Sequence, residues 1–392
     1  MVGRIQKLNK NSSFFLFGSR GTGKSTLLKA HFSSPETLWI DLLTEADEAK
    51  FGRHPDELSR ALATTSYTRV VIDEVQKGPK LLDIVHHEME KRKHVQFILT
   101  GSSARKLKRG RANLLAGRAF TYHLFPLTAC ELGAQFDLTH ALEFGTLPRL
   151  LEYSTREEKN EFLRAYVKNY LREEIAIEQL VRNLHPFRDF LEVAAQCNGK
   201  IINHAKIGRD IGADDKTVRN YFAILEDTLV GFYLPPFHRS VRKQQREAPK
   251  FYFFDPGIVR ALSGTLRVEL LPQTYAFGNA FEHWVILECH RMNEYHQLDY
   301  TLSYLRTKSD VEVDLVVRRP GIADLLIEIK STTRVTHDDT ALLTRFRHDW
   351  GSPCEAQVWS LERERKVIDD VLCMYWNEGL QQFSRLSESH RP

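Results

Sequence analysis

Short apolar runs separated by helix-length amphipathic stretches mark the first third of the chain. The runs are Phe14-Phe15-Leu16-Phe17, Leu38-Trp39-Ile40, Val70-Val71-Ile72, Val95-Gln96-Phe97-Ile98-Leu99 and Ala119-Phe120-Thr121-Tyr122-His123-Leu124. Strands alternating with helices predict a parallel sheet covered on both faces, with ligands at the C-terminal ends of the strands. Between about 186 and 260 the pattern changes. Ile207, Ile211, Val218, Phe222 and Leu225 recur at helical spacing, with Gly212-Ala213 turning the chain between two short helices. The last third turns to alternation by two, in Glu312-Val-Asp314-Leu and in Leu325-Leu-Ile-Glu328-Ile-Lys330, which places Glu312 with Asp314, and Glu328 with Lys330, on one strand face each.

The polar residue sets at the predicted strand ends carry the chemistry. After the first run comes Gly18-Ser19-Arg20-Gly21-Thr22-Gly23-Lys24-Ser25-Thr26, which fits G-x-x-x-x-G-K-[ST] between a strand and a helix. The glycines let backbone N–H groups turn inward around phosphates. Lys24 reaches the β- and γ-phosphates, and Ser25 offers its hydroxyl to magnesium. The third run ends in Asp73-Glu74, the first acid suited to magnesium and the second to orienting an attacking water. The fourth ends in Thr100-Gly101-Ser102-Ser103. Ser102 is the first candidate for sensing the γ-phosphate or the lytic water, with Thr100 second. Arg118, before the fifth run, is either a surface residue or a source of positive charge to the γ-phosphate, within its own subunit or a neighbour's.

These segments, with Val70-Val71-Ile72-Asp73-Glu74-Val75-Gln76-Lys77, Leu115-Ala116-Gly117-Arg118 and His123-Leu124-Phe125-Pro126-Leu127, resemble the bacterial and archaeal AAA-type ATPases that carry an uncharacterised nuclease-like C-terminal domain. The likeness runs on through Tyr170-Leu171-Arg172-Glu173-Glu174-Ile175 and Phe251-Tyr252-Phe253-Phe254-Asp255-Pro256-Gly257. Phe144-Gly145-Thr146-Leu147-Pro148 is similar to a Gly-Gly-aromatic-Pro motif but departs at two positions. The resemblance implies ATP in preference to GTP and a homo-oligomer with sites between subunits.

In the middle region, Asp214 or Asp215 caps the second helix, and strand-like Gly231–Leu234 and Lys250–Phe254 complete a winged helix. Lys216, Arg219 and Asn220 would face outward, residue types that read base edges. The loop from His238 to Lys250 carries Arg239, Arg242, Lys243, Arg246 and Lys250, suited to phosphate contacts. A second basic cluster lies at Arg105–Arg111. Winged helices also serve as packing modules, so DNA contact, RNA contact and plain interdomain docking all remain open.

Two neighbouring strands in the last third would bring Asp314, Glu328 and Lys330 together, an arrangement suited to magnesium and a positioned water. This resembles the PD-(D/E)xK nuclease fold, although Val313 stands where that signature has proline. The same fold commonly has a glutamate on a preceding helix, and Glu282 within Phe281-Glu282-His283-Trp284-Val285 fits. Asp314 and Glu328 would then be the ligands of magnesium or manganese.

A net charge of +4 over 392 residues is no evidence for nucleic acid by itself. Five scattered cysteines without C-x-x-C spacing argue for a reducing compartment. No apolar run approaches membrane length and no secretory signal is read at the N-terminus, so the expected location is the cytoplasm. The expected α/β architecture is a P-loop AAA-type parallel-sheet domain at 1–130, a helical linker or lid at 131–185, a winged helix at 186–265 and a restriction-endonuclease-like domain at 266–392. Two functions follow: an ATP-driven enzyme acting on DNA or RNA, or a nucleotide-driven switch whose last domain binds without cutting.

Overall fold

The computed structural model describes residues 2–102, 117–171, 184–238, 247–307 and 311–385. Strand β1, Phe14–Phe17, is buried on both faces. Phe15 and Phe17 enter one apolar cluster while Phe14 and Leu16 enter another, as period-two geometry requires of a central strand. It lies in a five-stranded sheet with β2 (Thr37–Asp41), β3 (Arg69–Asp73), β4 (Gln96–Gly101) and β5 (Phe120–His123). All pairings are parallel and the order is β2-β3-β4-β1-β5. Insertion of β4 between β1 and β3 brings the polar ends of three strands side by side.

The middle region forms the two expected helices, His204–Ile211 and Asp215–Asp227. Gly212 takes the left-handed turn at φ 67, and the Asp214 carboxylate caps the second helix by accepting from Thr217 N at 2.6 Å. Ile207, Ile211, Val218, Phe222 and Leu225 are all buried. Strands β6 (Gly231–Leu234) and β7 (Lys250–Phe253) pair as an antiparallel hairpin.

The last region is a six-stranded sheet of order β12-β13-β11-β10-β9-β8. Its strands are β8 (Thr301–Arg306), β9 (Glu312–Arg318), β10 (Asp324–Lys330), β11 (Cys354–Ser360), β12 (Lys366–Ile368) and β13 (Val371–Tyr375). Strands β8, β9 and β10 form an antiparallel meander, and β10 and β11 are parallel. The helix His337–Asp349 makes the crossover between those two, as a parallel connection demands. The 22-residue helix Tyr275–His296 packs against the sheet through Trp284 and Val285.

The regions are sewn together by buried polar contacts. Phe144–Pro148 and Asp255–Gly257, two segments with no role legible in the sequence, meet each other. The Asp255 carboxylate accepts from Thr146 N at 2.8 Å and Ile258 N at 3.3 Å and is fully buried. A side chain on Gly145 would strike the Asp255 carboxylate, and one on Gly257 would lie 1.9 Å from the Phe144 carbonyl, so only glycine allows this approach. Asp255→Ala leaves two buried N–H groups without acceptors and should cost about 2–4 kcal/mol in urea unfolding. A loss under 1 kcal/mol on that ~1 kcal/mol-per-bond scale would show the contact to be dispensable.

Among the described residues no helix is long and apolar enough to cross a membrane. All five cysteines are free.

Candidate functional site

The phosphate loop turns from β1 into the helix Lys24–Phe32. Gly21 and Gly23 hold φ of 81 and 94, and a side chain on Gly18 would meet the Leu124 carbonyl at 2.3 Å. The Lys24 ammonium, buried, donates to the loop's own carbonyls at Gly18 (2.7 Å) and Ser19 (3.3 Å). These are the groups a bound phosphate chain would compete with. The Ser25 hydroxyl donates to Asp73 Oδ2 at 2.5 Å, and the Thr100 hydroxyl donates to Asp73 Oδ1. The carboxylate at the end of β3 is thus bracketed by hydroxyls from the loop and from β4. Its donor set of hard oxygens fits magnesium.

Glu74 follows in the left-handed region at φ 57, unusual for a residue with a side chain and a mark of local strain. Its N–H donates to Thr100 Oγ1 at 3.2 Å, and Gln76 Nε2 donates to its carboxylate. The same Gln76 Nε2 lies 3.1 Å from Ser102 Oγ. Thr100 and Ser102 therefore both reach the acidic pair, Thr100 through the aspartate and Ser102 through Gln76. Gln76 was within the quoted motif, but nothing in its position there signalled a bridging role.

Arg118 sits at the start of β5, the opposite end of the sheet from the loop. It pairs with Glu90 at 2.7 Å and His86 at 2.7 Å on the exposed surface. Within its own subunit it is therefore remote from the phosphate site.

The loop is covered by the middle of the chain. Tyr166 donates its hydroxyl to the Arg20 carbonyl at 2.8 Å, and Ser19 donates to the Leu229 carbonyl at 2.5 Å. Leu147 and Pro148 lie over Gly21 and Gly23. Tyr166 and Leu229 carry no sequence signal, because they meet the loop through hydrogen bonds with main-chain carbonyls, whereas Leu147 and Pro148 lie in the Phe144–Pro148 segment quoted above and cover the loop by apolar contact.

Lys216, Arg219 and Asn220 are exposed along the helix Asp215–Asp227, and Arg219 also pairs with Asp215 one turn back at 2.8 Å. Arg242, Lys243 and the rest of Arg239–Arg246 lie outside the described residues, as do Ser103, the Arg105–Arg111 cluster and Arg172–Ile175. The structure corrects the reading of Lys250, which is no phosphate-facing wing residue. It is 3% exposed, and its ammonium lies 2.5 Å from Glu312 and 3.3 Å from Glu282. Two half-buried acids offer it a better counter-charge than solvent does.

Glu282, Asp314, Glu328 and Lys330 do come together. Asp314 on β9 accepts from Ile329 N of β10 at 2.8 Å, and Lys330 donates to Glu328 Oε1 at 2.7 Å. The Tyr252 hydroxyl donates to Glu282 Oε1 at 2.7 Å. Burial, reinforced by Glu328 and Glu282, pushes the Asp314 carboxyl well above the usual range. Burial also raises Glu328 despite the opposing pull of Lys330. Burial works to lower the Lys250 ammonium, but Glu282, Glu312 and Asp314 hold it above its ordinary value. Glu328 Oε2 is buried without a hydrogen-bond partner. Yet among the described residues no three His, Cys, Asp or Glu side chains are grouped to hold a metal. With Lys250 engaging Glu282 and Glu312, the arrangement does not fit a divalent cation.

Residues 10–133 match a family model described as an AAA domain, which supports an AAA-type, ATP-binding module. Residues 135–269 and 277–376 match two further models, each described as a domain of unknown function. The chain is similar to uncharacterized protein Mb2031c of Mycobacterium bovis and uncharacterized protein Rv2008c of Mycobacterium tuberculosis. Each is 24% identical over 316 residues, covering 80% of this chain and 69% of the relative.

Proposed function

We propose that this chain hydrolyses ATP and uses the change of nucleotide state to act on nucleic acid. The observation that carries the first half is the meeting of Ser25 and Thr100 on the two oxygens of Asp73, with Glu74 beside them. Ser25 and Asp73 would hold magnesium, which neutralises phosphate charge during transfer. Lys24, with the backbone N–H groups from Ser19 to Thr26, holds the phosphates, and Glu74 orients the water. Ser102 reports on the same water through Gln76. Arg118, facing away from its own site, would serve a neighbouring subunit in a homo-oligomer.

The nucleic-acid half is supported by Lys216, Arg219 and Asn220 on the exposed side of a helix-turn-helix, in what we read as a winged helix. It is supported also by the acid–lysine cluster of Glu282, Asp314, Glu328 and Lys330, arranged as in a PD-(D/E)xK nuclease. Lys250 within that cluster favours a second reading, in which the last domain binds DNA without cutting it. Plasmid and single-stranded DNA incubated with the full chain, ATP and magnesium or manganese separate the two. Cutting that disappears in Asp314→Asn supports the enzyme. DNA retention without cutting supports the switch, and neither cutting nor retention removes nucleic acid from the proposal.

A further inference from the structure

Gln76 ties together the ends of β3 and β4 beside the phosphate loop. It lies in a single 3-10 turn, Val75–Lys77, that follows directly on the acids ending β3, and it is 5% exposed. Its Nε2 donates to the Glu74 carboxylate and, at 3.1 Å, to Ser102 Oγ. A primary amide has two N–H groups, so both are in use. The neighbour also fixes which way the amide points: a carboxylate only accepts, so the nitrogen and not the oxygen must face Glu74. That orientation leaves Gln76 Oε1 buried without a donor. An orphaned buried acceptor is costly, and the left-handed backbone of Glu74 adds strain two residues earlier. For packing alone, an apolar side chain at position 76 would serve better. Gly101, the last residue of β4, makes the room. A side chain there would stand 2.7 Å from Gln76 Oε1, although its strand backbone, outside the left-handed region, would accept one.

We infer that Gln76 is a positioning residue for hydrolysis: its amide holds the Glu74 carboxylate against Ser102, so that the acid is fixed in place before a water arrives. This rests on the reading of the site as an ATPase, and it adds how the group that orients the water is itself held. A carboxylate fixed in advance needs no reorganisation at the moment of reaction, which is where such a contact acts. Among the described residues Gln76 makes no hydrogen bond to the phosphate loop or to Asp73, so it bears on the chemical step and not on the grip of the phosphates. The orphaned oxygen is the cost of turning both N–H groups toward Glu74 and Ser102.

The test is ATP turnover by the full chain with magnesium, comparing wild type, Gln76→Leu, Gly101→Ala, Ser102→Ala and the Gln76→Leu/Ser102→Ala double variant, each melted first to confirm folding. Gln76→Leu should lower kcat by about ten- to a hundredfold, the scale of one hydrogen bond to a charged group, with KM for ATP within about twofold. Gly101→Ala removes no polar group and only crowds the amide, so it should lower kcat severalfold with KM likewise held, and it decides the matter where Gln76→Leu fails to fold. The double variant should turn over about as fast as Gln76→Leu alone, because Ser102 reaches Glu74 through the amide. A kcat within about threefold of wild type in Gln76→Leu, or a loss confined to KM, overturns the inference and leaves the ATPase reading standing. Losses that multiply in the double variant overturn it too, since Ser102 would then act by a contact of its own. If the wild type shows no ATP turnover that depends on Lys24, the ATPase reading falls and the inference with it.

Discussion

Lys24→Met is expected to lower ATP turnover by about 10²–10³-fold, the scale seen when one charged or hydrogen-bonding group is removed from a transferring centre. The ammonium is buried and held by the Gly18 and Ser19 carbonyls, so it is already aimed into the loop. Methionine keeps the apolar stem that packs there and removes only the charge. The two carbonyls lose a shared donor, a loss of about 1–2 kcal/mol in stability that leaves the domain folded. Phosphate release under saturating ATP measures the effect, with thermal melting to confirm folding. Turnover within threefold of wild type would mean that phosphate is not gripped at this loop.

A second large effect is expected far from any phosphate. Arg291 and Glu288 are both fully buried, 3.1 Å apart on successive turns of the long helix. Arg291 also donates to the Leu127 carbonyl at 3.3 Å and the Phe254 carbonyl at 2.9 Å, while Glu288 accepts from Ala129 N at 2.9 Å. One ion pair therefore joins the first, middle and last regions. Arg291→Met strands a buried carboxylate and should cost about 3–5 kcal/mol. Adding Glu288→Gln should restore part of that loss, because the two residues form one unit. Burial lifts the Glu288 carboxyl to about 7 against the pull of Arg291. The raised value fixes the sign of its pH dependence: the stability it contributes is complete below about 4.5 and is lost as pH rises through about 7. Melting of wild type at pH 6 and pH 8 should show that decline, and Glu288→Gln should flatten it. Equal slopes in the two proteins would contradict the assignment.

The sequence made legible what is written in local spacing. The loop from Gly18 to Ser25, the acids ending β3 and the alternation in β9 and β10 each follow from the period of one element, and the structure brings their side chains together as expected. Asp214 capping and Gly212 turning were readable for the same reason. What escaped depends on pairs far apart in the chain. Lys250 looked like one more basic residue in a basic loop, because its partners Glu282 and Glu312 lie 32 and 62 positions away. Asp255 and Thr146 are 109 positions apart, and neither alone announces the other. Tyr166 and Leu229 are tied to the phosphate loop through hydrogen bonds to or from main-chain carbonyls, a contact no residue type advertises.

The hydrogen bond from Ser19 to Leu229 makes the β6–β7 hairpin common property of the two ends of the molecule. Leu229 leads directly into β6, β6 is laddered to β7, and β7 begins at Lys250. The main chain at the phosphate loop and the strand that carries Lys250 to the acids are therefore joined through one hairpin. Thermodynamic reciprocity then applies: whatever factor a ligand at the loop imposes on the hairpin's equilibrium, the hairpin must return on that ligand's affinity.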